Sequence, residues 1–190
     1  MEQPKKGYYD VSSERYTIED FYALPDDKRC ELINGVLYDM APPMRVHQRL
    51  VSLLVTSINN YIDKNNGDCE VNPAPFGVQL NENEDTIVEP DISVICDKDK
   101  LTERGCVGAP DWVIEIVSPS NPSHDYLKKL VLYMDAGVRE YWIVDPGNQR
   151  ITIYGGEQPF IPEPYSFDDE IKVGIYDDFA IDFKEISKKL

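Results

Sequence analysis

WVIEIV, residues 112–117, is the stretch on which the architecture turns, because five of its six side chains are apolar. A near-continuous run of this kind belongs to a strand covered on both faces, not to one with a wet side. Glu115 interrupts it near the centre. Strand alternation puts Glu115 on the same face as Val113 and Val117, where an ionised carboxylate is costly unless it is paired or bound to a metal. A second carboxylate has a related position in VEPDISVI (88–95): Asp91 follows Pro90 and immediately precedes the apolar strand candidate Ile92–Cys96.

Outward from this strand, a helix is expected over about Asp125 to Ala136, with Gly137 just past its end. The strand Glu140–Val144 then turns at Asp145-Pro146-Gly147 into Arg150–Tyr154. On the other side, Val46, Leu50, Leu53, Leu54, Ile58, Tyr61 and Ile62 recur at helical spacing, and Asn65-Asn66-Gly67 closes that helix. Strand candidates Glu70–Val71 and Phe76–Leu80 follow it. Nearer the start, RCELI and VLYDM flank Asn34-Gly35, a strong hairpin signal, and Thr17 with Asp20 forms a capping box for a short helix that Pro25 ends. Pro159, Pro162 and Pro164 make an extended connection, and Phe167 to Leu190 reads as one or two edge strands and a closing helix. Residues 1–15 are expected to be a flexible tail and 16–190 a single α+β domain, a mixed sheet flanked by two principal helices.

Composition sets the limits. The chain has 190 residues, 35 acidic and 19 basic, for a formal charge of −16. A globule of this size buries roughly 70% of its unfolded surface and needs no disulfide or structural metal. Its 20 aromatic residues exclude general disorder. No apolar stretch approaches the ~18 residues of a membrane span, and the polar start lacks a secretion signal, so a cytoplasmic protein with no membrane partner is expected. Cys30, Cys69, Cys96 and Cys106 form no C-x-x-C pair and read as reduced, mostly buried thiols. The negative excess is regional: residues 65–100 carry 9 acids and 2 bases. Such a charge argues against broad electrostatic capture of nucleic acid while leaving room for a local basic rim around a metal-filled cleft.

Strand-borne Asp91 and Glu115, if they converge, offer the hard oxygen ligands that Mg²⁺ prefers and leave coordination positions for water and a phosphate oxygen. At about 100° per residue, Lys128 falls beside Asp135 on the polar side of its helix, whereas Lys129 falls between Leu132, Tyr133 and Ala136 and leans inward. There its ammonium group would orient an attacking water or stabilise charge growing on a phosphate. Asp125 and Tyr133 share its stripe. Glu31, between Cys30 and Leu32 in the first hairpin, reads either as a site residue or as a surface acid. On the residues alone Asp91 also fits a solvated turn acid after proline, Glu115 a structural salt bridge to Lys129, and Lys129 a snorkelling side chain.

Other features read more blandly. His47 lies in line with Leu50, Val51 and Leu54, as a partly buried, satisfied histidine does, and two histidines in the chain are too few for a His-rich metal site. Ser118 and Ser120 sit in a Pro/Ser loop without a nucleophile elbow. Tyr141 and Trp142 fit core packing on one strand face, with base stacking or a dimer contact open on the other. The acid clusters 82–85 and 168–170 read as solvated loops.

The order ELINGVLY, a His-bearing helix, EPDISV, VIEIVSPS, DYLKKLVLY and AGVREYWIVDP resembles a large bacterial family of restriction-endonuclease-like proteins, once catalogued as a domain of unknown function. The resemblance covers about Tyr16 to Tyr154. It implies the fold of the PD-(D/E)XK nuclease superfamily, a mixed sheet flanked by helices, and assigns Asp91 to the motif's aspartate and Glu115 to its second acid. Val117 stands where the superfamily usually has lysine. In families of this type the lysine comes from the following helix, which maps to Lys129, and Glu31 matches the family's early glutamate.

The function expected is therefore Mg²⁺-dependent hydrolysis of DNA phosphodiester bonds, with Mn²⁺ as a substitute ion. Asp91 and Glu115 hold the ion, Lys129 assists, and Glu31 contributes at the edge. A homodimer is expected from the resemblance. The rival from another class is a catalytically silent nuclease-fold domain that binds a protein or nucleic acid. A carboxylate-pair hydrolase acting on sugars is a further rival, short of the aromatic subsites that activity needs.

Overall fold

The computed structural model describes residues 15–25, 27–81, 85–118 and 124–190, with the backbone alone at His124 and Asp125. The expected tail up to Glu14, most of the 82–85 acid cluster, Ser120 and the Asp125 side chain lie outside the described residues. Local signals act where the sequence carries them. In α1 (Ile18–Tyr22) the Thr17 hydroxyl accepts from the Asp20 amide at 3.2 Å and the Asp20 carboxylate accepts from the Thr17 amide at 2.8 Å. β1 (Cys30–Ile33) and β2 (Val36–Asp39) are joined by Asn34-Gly35, whose φ angles of +50° and +75° are those of a tight turn matched to strand twist. α2 (Arg45–Lys64) buries Leu50, Leu54 and Ile58 completely, and Gly67 donates back to the Ile62 carbonyl at 2.9 Å where the helix ends.

Two six-stranded sheets carry the rest. The first has the order β2-β1-β5-β4-β8-β7, with β4 Gly77–Gln79, β5 Ile87–Val88, β7 Leu101–Thr102 and β8 Gly105–Val107. The second has the order β12-β11-β10-β9-β6-β3, with β3 Glu70–Pro73, β6 Ile92–Ile95, β9 Trp112–Ile116, β10 Glu140–Asp145, β11 Arg150–Gly155 and β12 Glu163–Ser166. β9 and β10 run parallel, so their link must cross over, and α3 (His124–Ala136) is that crossover. A hairpin of β13 (Glu170–Lys172) and β14 (Ala180–Asp182) leads into α4 (Phe183–Ser187).

β9 lies inside the second sheet, and both of its faces are covered, which explains the unbroken apolar run. Trp112, Ile114 and Ile116 pack with Trp142, Val144, α2 and the C-terminal hairpin. Val113, on the opposite face, packs with Tyr141, with Leu130 and Tyr133 of α3, and with Val78, Val88 and Cys106 of the first sheet. Tyr141 and Trp142 are both fully buried, so core packing accounts for both rings and neither presents a stacking surface. Among the described residues no helix is long and apolar enough to cross a membrane.

The α+β class is as expected, with three differences in detail. The sequence suggested one sheet; β5, β7 and β8 are only two or three residues long and show no alternation to read. β8 opens on Gly105 at φ +141°, where a Cβ would collide with the Gly77 carbonyl in the neighbouring strand. In the proline-rich connection, β12 is a strand, and it tolerates Pro164 because it is an edge of its sheet. The cysteine expectation is corrected: Cys69 and Cys96 form a disulfide, while Cys30 and Cys106 are free and buried. The antiparallel register of β3 and β6 pairs Glu70 with Ile95, so Cys69 and Cys96 face each other one step further on. A 27-residue separation gave no hint of this.

Leu54 has no exposed surface between α2 and the second sheet. Leu54→Ala should cost about 2–5 kcal/mol in urea unfolding; a loss below about 1 kcal/mol would contradict this placement of the core.

Candidate active site

β6 and β9 are antiparallel, with Ile92 opposite Ile114 and Ser93 opposite Val113. One step on in that register, Asp91 stands opposite Glu115. Directly opposed residues share a sheet face with Cβ atoms about 5 Å apart. The segment from Val88 to Ile92 is also where the chain leaves the first sheet for the second, so Asp91 sits at the junction of the two. Its carboxylate is fixed by the Ile116 amide, which donates to Oδ2 at 2.7 Å, immediately beside Glu115.

Glu115 is 4% exposed and Lys129 5%. Lys129 donates from Nζ to Glu115 Oε1 at 2.9 Å and to Glu31 Oε1 at 2.7 Å. The same Glu115 oxygen accepts from Tyr133 OH at 2.7 Å. Lys129 and Tyr133, one turn apart on α3, thus grip one carboxylate oxygen from above. Glu31, on β1 of the first sheet, is 6% exposed and also accepts from the Glu89 amide at 2.9 Å. Arg29 pairs with the Glu89 carboxylate at 3.0 Å. One ammonium therefore joins a helix and both sheets.

His47, 6% exposed on the first turn of α2, lies with Nε2 3.0 Å from Asp91 Oδ2, and its buried Nδ1 has no partner among the described residues. Both protein contacts of the Asp91 side chain fall on Oδ2, and all those of Glu115 fall on Oε1. Asp91 Oδ1 and Glu115 Oε2 take no protein donor among the described residues. Burial, opposed by Lys129 and reinforced by Asp91 and Glu31, pushes Glu115 up to about 7. Burial works against the Lys129 charge, but the two carboxylates outweigh it and hold the ammonium protonated well above the ordinary lysine value. Burial, with the Glu115 charge beside it, raises the Tyr133 phenol as well.

Three inward carboxylates facing one ammonium leave an excess of negative charge that a cation would neutralise. Each of the three has an oxygen without a protein donor among the described residues, since the contacts of Glu31 also fall on one oxygen, Oε1. Hard carboxylate oxygens of this kind fit Mg²⁺ or Mn²⁺. Among the described residues no group of three or more His, Cys, Asp or Glu side chains is placed to hold a metal ion, so a site here would rest on two carboxylates and leave coordination to water and substrate.

The structure brings Asp91, Glu115, Lys129 and Glu31 into one cluster. Lys128 and Asp135 are exposed, as the helical angles required. His47 and Tyr133, both noted in the sequence without a role, touch the cluster directly. Tyr126 had drawn no attention: its hydroxyl accepts from the Ser118 amide at 3.3 Å and donates to the Ile116 carbonyl at 3.4 Å. Its position three residues before Lys129, on the same helical stripe, was the available signal.

Comparison with known proteins places the chain in a family and matches its fold. The model of the Uma2 family, described as "Putative restriction endonuclease", matches residues 18–175. An uncharacterized protein of Synechocystis sp. is 28% identical over 125 residues, which are 65% of this chain and 64% of that protein. The chain thus spans somewhat under two thirds of the curated relative's length. A crystal structure from Anabaena variabilis, described as a putative nuclease belonging to DUF820, has a TM-score of 0.75 at 24% identity, covering 90% of this chain and 97% of that one. That likeness shows the shared fold.

Lys129→Met removes the only ammonium in the cluster and leaves Glu31 and Glu115 buried without it. The variant should lose about 3–5 kcal/mol at about pH 8. Without Lys129 the folded-state pKa of Glu115 rises further above its unfolded value, so its contribution is favourable at low pH and is lost as pH rises. The deficit should therefore shrink toward about pH 5. Urea titrations at both pH values check this; an equal loss at both would contradict the ion-pair geometry.

Proposed function

The chain belongs to the Uma2 family of restriction-endonuclease-like proteins, and from that membership and the site geometry we propose that it hydrolyses DNA phosphodiester bonds with the aid of Mg²⁺. The observation that carries the proposal is the pairing of Asp91 and Glu115 on one sheet face, each with a free oxygen, beside a buried lysine. Residues 16–190 form the catalytic unit in this reading, which acts in the cytoplasm as a homodimer, one site for each strand.

Asp91 and Glu115 would hold the ion through Oδ1 and Oε2. Bound there, a divalent ion supplies Lewis acidity, lowering the pKa of water and neutralising charge on the phosphate. The protein's own groups do the positioning. The Ile116 amide and His47 fix Asp91 Oδ2, which leaves Oδ1 to face the cleft. Tyr133 and Lys129 do the same for Glu115 through Oε1. An ammonium group has three donors, and Lys129 spends two on carboxylates. The third is available to the attacking water or to a phosphate oxygen as charge grows on it. Glu31 keeps that ammonium in place and protonated. Val117, where the superfamily usually has lysine, follows on from β9 on the Glu115 face; a lysine from α3 reaches the same carboxylate from the opposite wall.

Plasmid and linear DNA cleavage with Mg²⁺ or Mn²⁺ tests the proposal. Asp91→Ala and Glu115→Ala should each lower the rate by at least about a hundredfold while the far-UV circular dichroism stays native. Full activity in either variant refutes the assignment. No cleavage of any DNA form by the wild-type chain would favour the silent binding module instead.

A further inference from the structure

A groove continues from the site along the same sheet face. In the second sheet Glu115 is opposite Ile143, and Ile143 is opposite Thr152, so these three form one cross-strand row. The next row on that face is Val117, Asp145 and Arg150: the Val117 amide donates to the Val144 carbonyl at 2.8 Å, and Asp145 is opposite Arg150. Tyr126 and Leu127 of α3 form the wall above these rows. Except for Glu115, which borders them through Ile143, these residues line a cavity of about 370 Å³. Two strand spacings put Thr152 about 10 Å from Glu115.

Among the described residues the groove has one cation. Arg150 is exposed, and its guanidinium makes no ion pair or hydrogen bond among the described residues. Asp145 does not claim it, because Oδ1 accepts from the Asn148 amide at 3.0 Å and Oδ2 from the Asn148 side chain at 2.8 Å. Leu127, 53% exposed, presents an apolar surface beside it. In a chain of charge −16, an uncommitted guanidinium two strands from the site is an unusual resource.

We propose that this groove is a nucleotide subsite. Arg150, with the Thr152 hydroxyl beside it, holds a phosphate flanking the one that is hydrolysed, and Leu127, Ile143 and Val117 pack against the attached sugar and base. The inference rests on the phosphodiesterase reading. A planar guanidinium fork matches phosphate geometry, and the apolar wall gives the neighbouring nucleoside a dry contact. Continuity of the rows with Glu115 sets the direction in which the strand leaves the cleft.

Fluorescence anisotropy with a labelled single-stranded oligonucleotide, in Ca²⁺ to suppress cleavage, tests this across a salt series. Arg150→Ala should weaken binding about tenfold and reduce the slope of log K against log salt by about one. Arg150→Lys should keep the slope but recover only part of the affinity. Leu127→Asp should also weaken binding. In Mn²⁺-supported cleavage, Arg150→Ala should raise KM while kcat stays within about twofold. Both positions are exposed, and circular dichroism confirms folding. Wild-type cleavage with KM, affinity and salt slope unchanged in Arg150→Ala overturns the subsite alone. Wild-type binding that falls in Arg150→Ala without any cleavage supports the subsite and overturns the phosphodiesterase reading. Neither binding nor cleavage by the wild type overturns both.

Discussion

A carboxylate in the middle of a strand that is covered on both faces is the constraint around which this molecule is organised. Glu115 cannot sit there unpartnered, and the partners it requires come from separate parts of the chain. Lys129 and Tyr133 reach it from the crossover helix, and Lys129 draws in Glu31 from the first sheet. Electrostatics therefore ties together three elements that hydrophobic packing alone would leave less specifically oriented. The same ties fix which oxygen of each carboxylate is engaged and which is left to the cleft.

In the proposed reading, Lys129 takes the place of a strand-borne lysine beside the acidic pair. Residue 117 lies on the Glu115 face, one step beyond the end of β9. A lysine there would reach the acids along the strand, whereas Lys129 reaches them across the gap between sheet and helix. The proposed chemistry needs an ammonium beside the acidic pair, and in this chain the crossover helix supplies one. Val117 then becomes free to line the adjoining groove.

Local signals were legible in the sequence because each acts within a few residues. The Thr17–Asp20 box, the Asn34-Gly35 turn, the α2 stripe and the inward direction of Lys129 follow from spacing alone. Asp91 and Glu115 stood out as strand-borne carboxylates, family resemblance assigned them to one motif, and the β6–β9 register supplied the physical reason for their meeting. Long-range register itself is not written in any short window. That is why the division into two sheets, the Cys69–Cys96 bridge and the His47–Asp91 contact were not foreseen. Glu31 was ambiguous for a related reason: in a four-residue strand, alternation does not say which face another sheet will cover.

If the spare oxygens of Asp91 and Glu115 are the reason for this geometry, the purified chain binds a divalent ion between them without any substrate. Calorimetric titration with Mn²⁺ should give one site per chain, lost in Asp91→Ala and in Glu115→Ala. No binding heat, or binding undiminished in both variants, would contradict a metal centre at the junction of the two sheets.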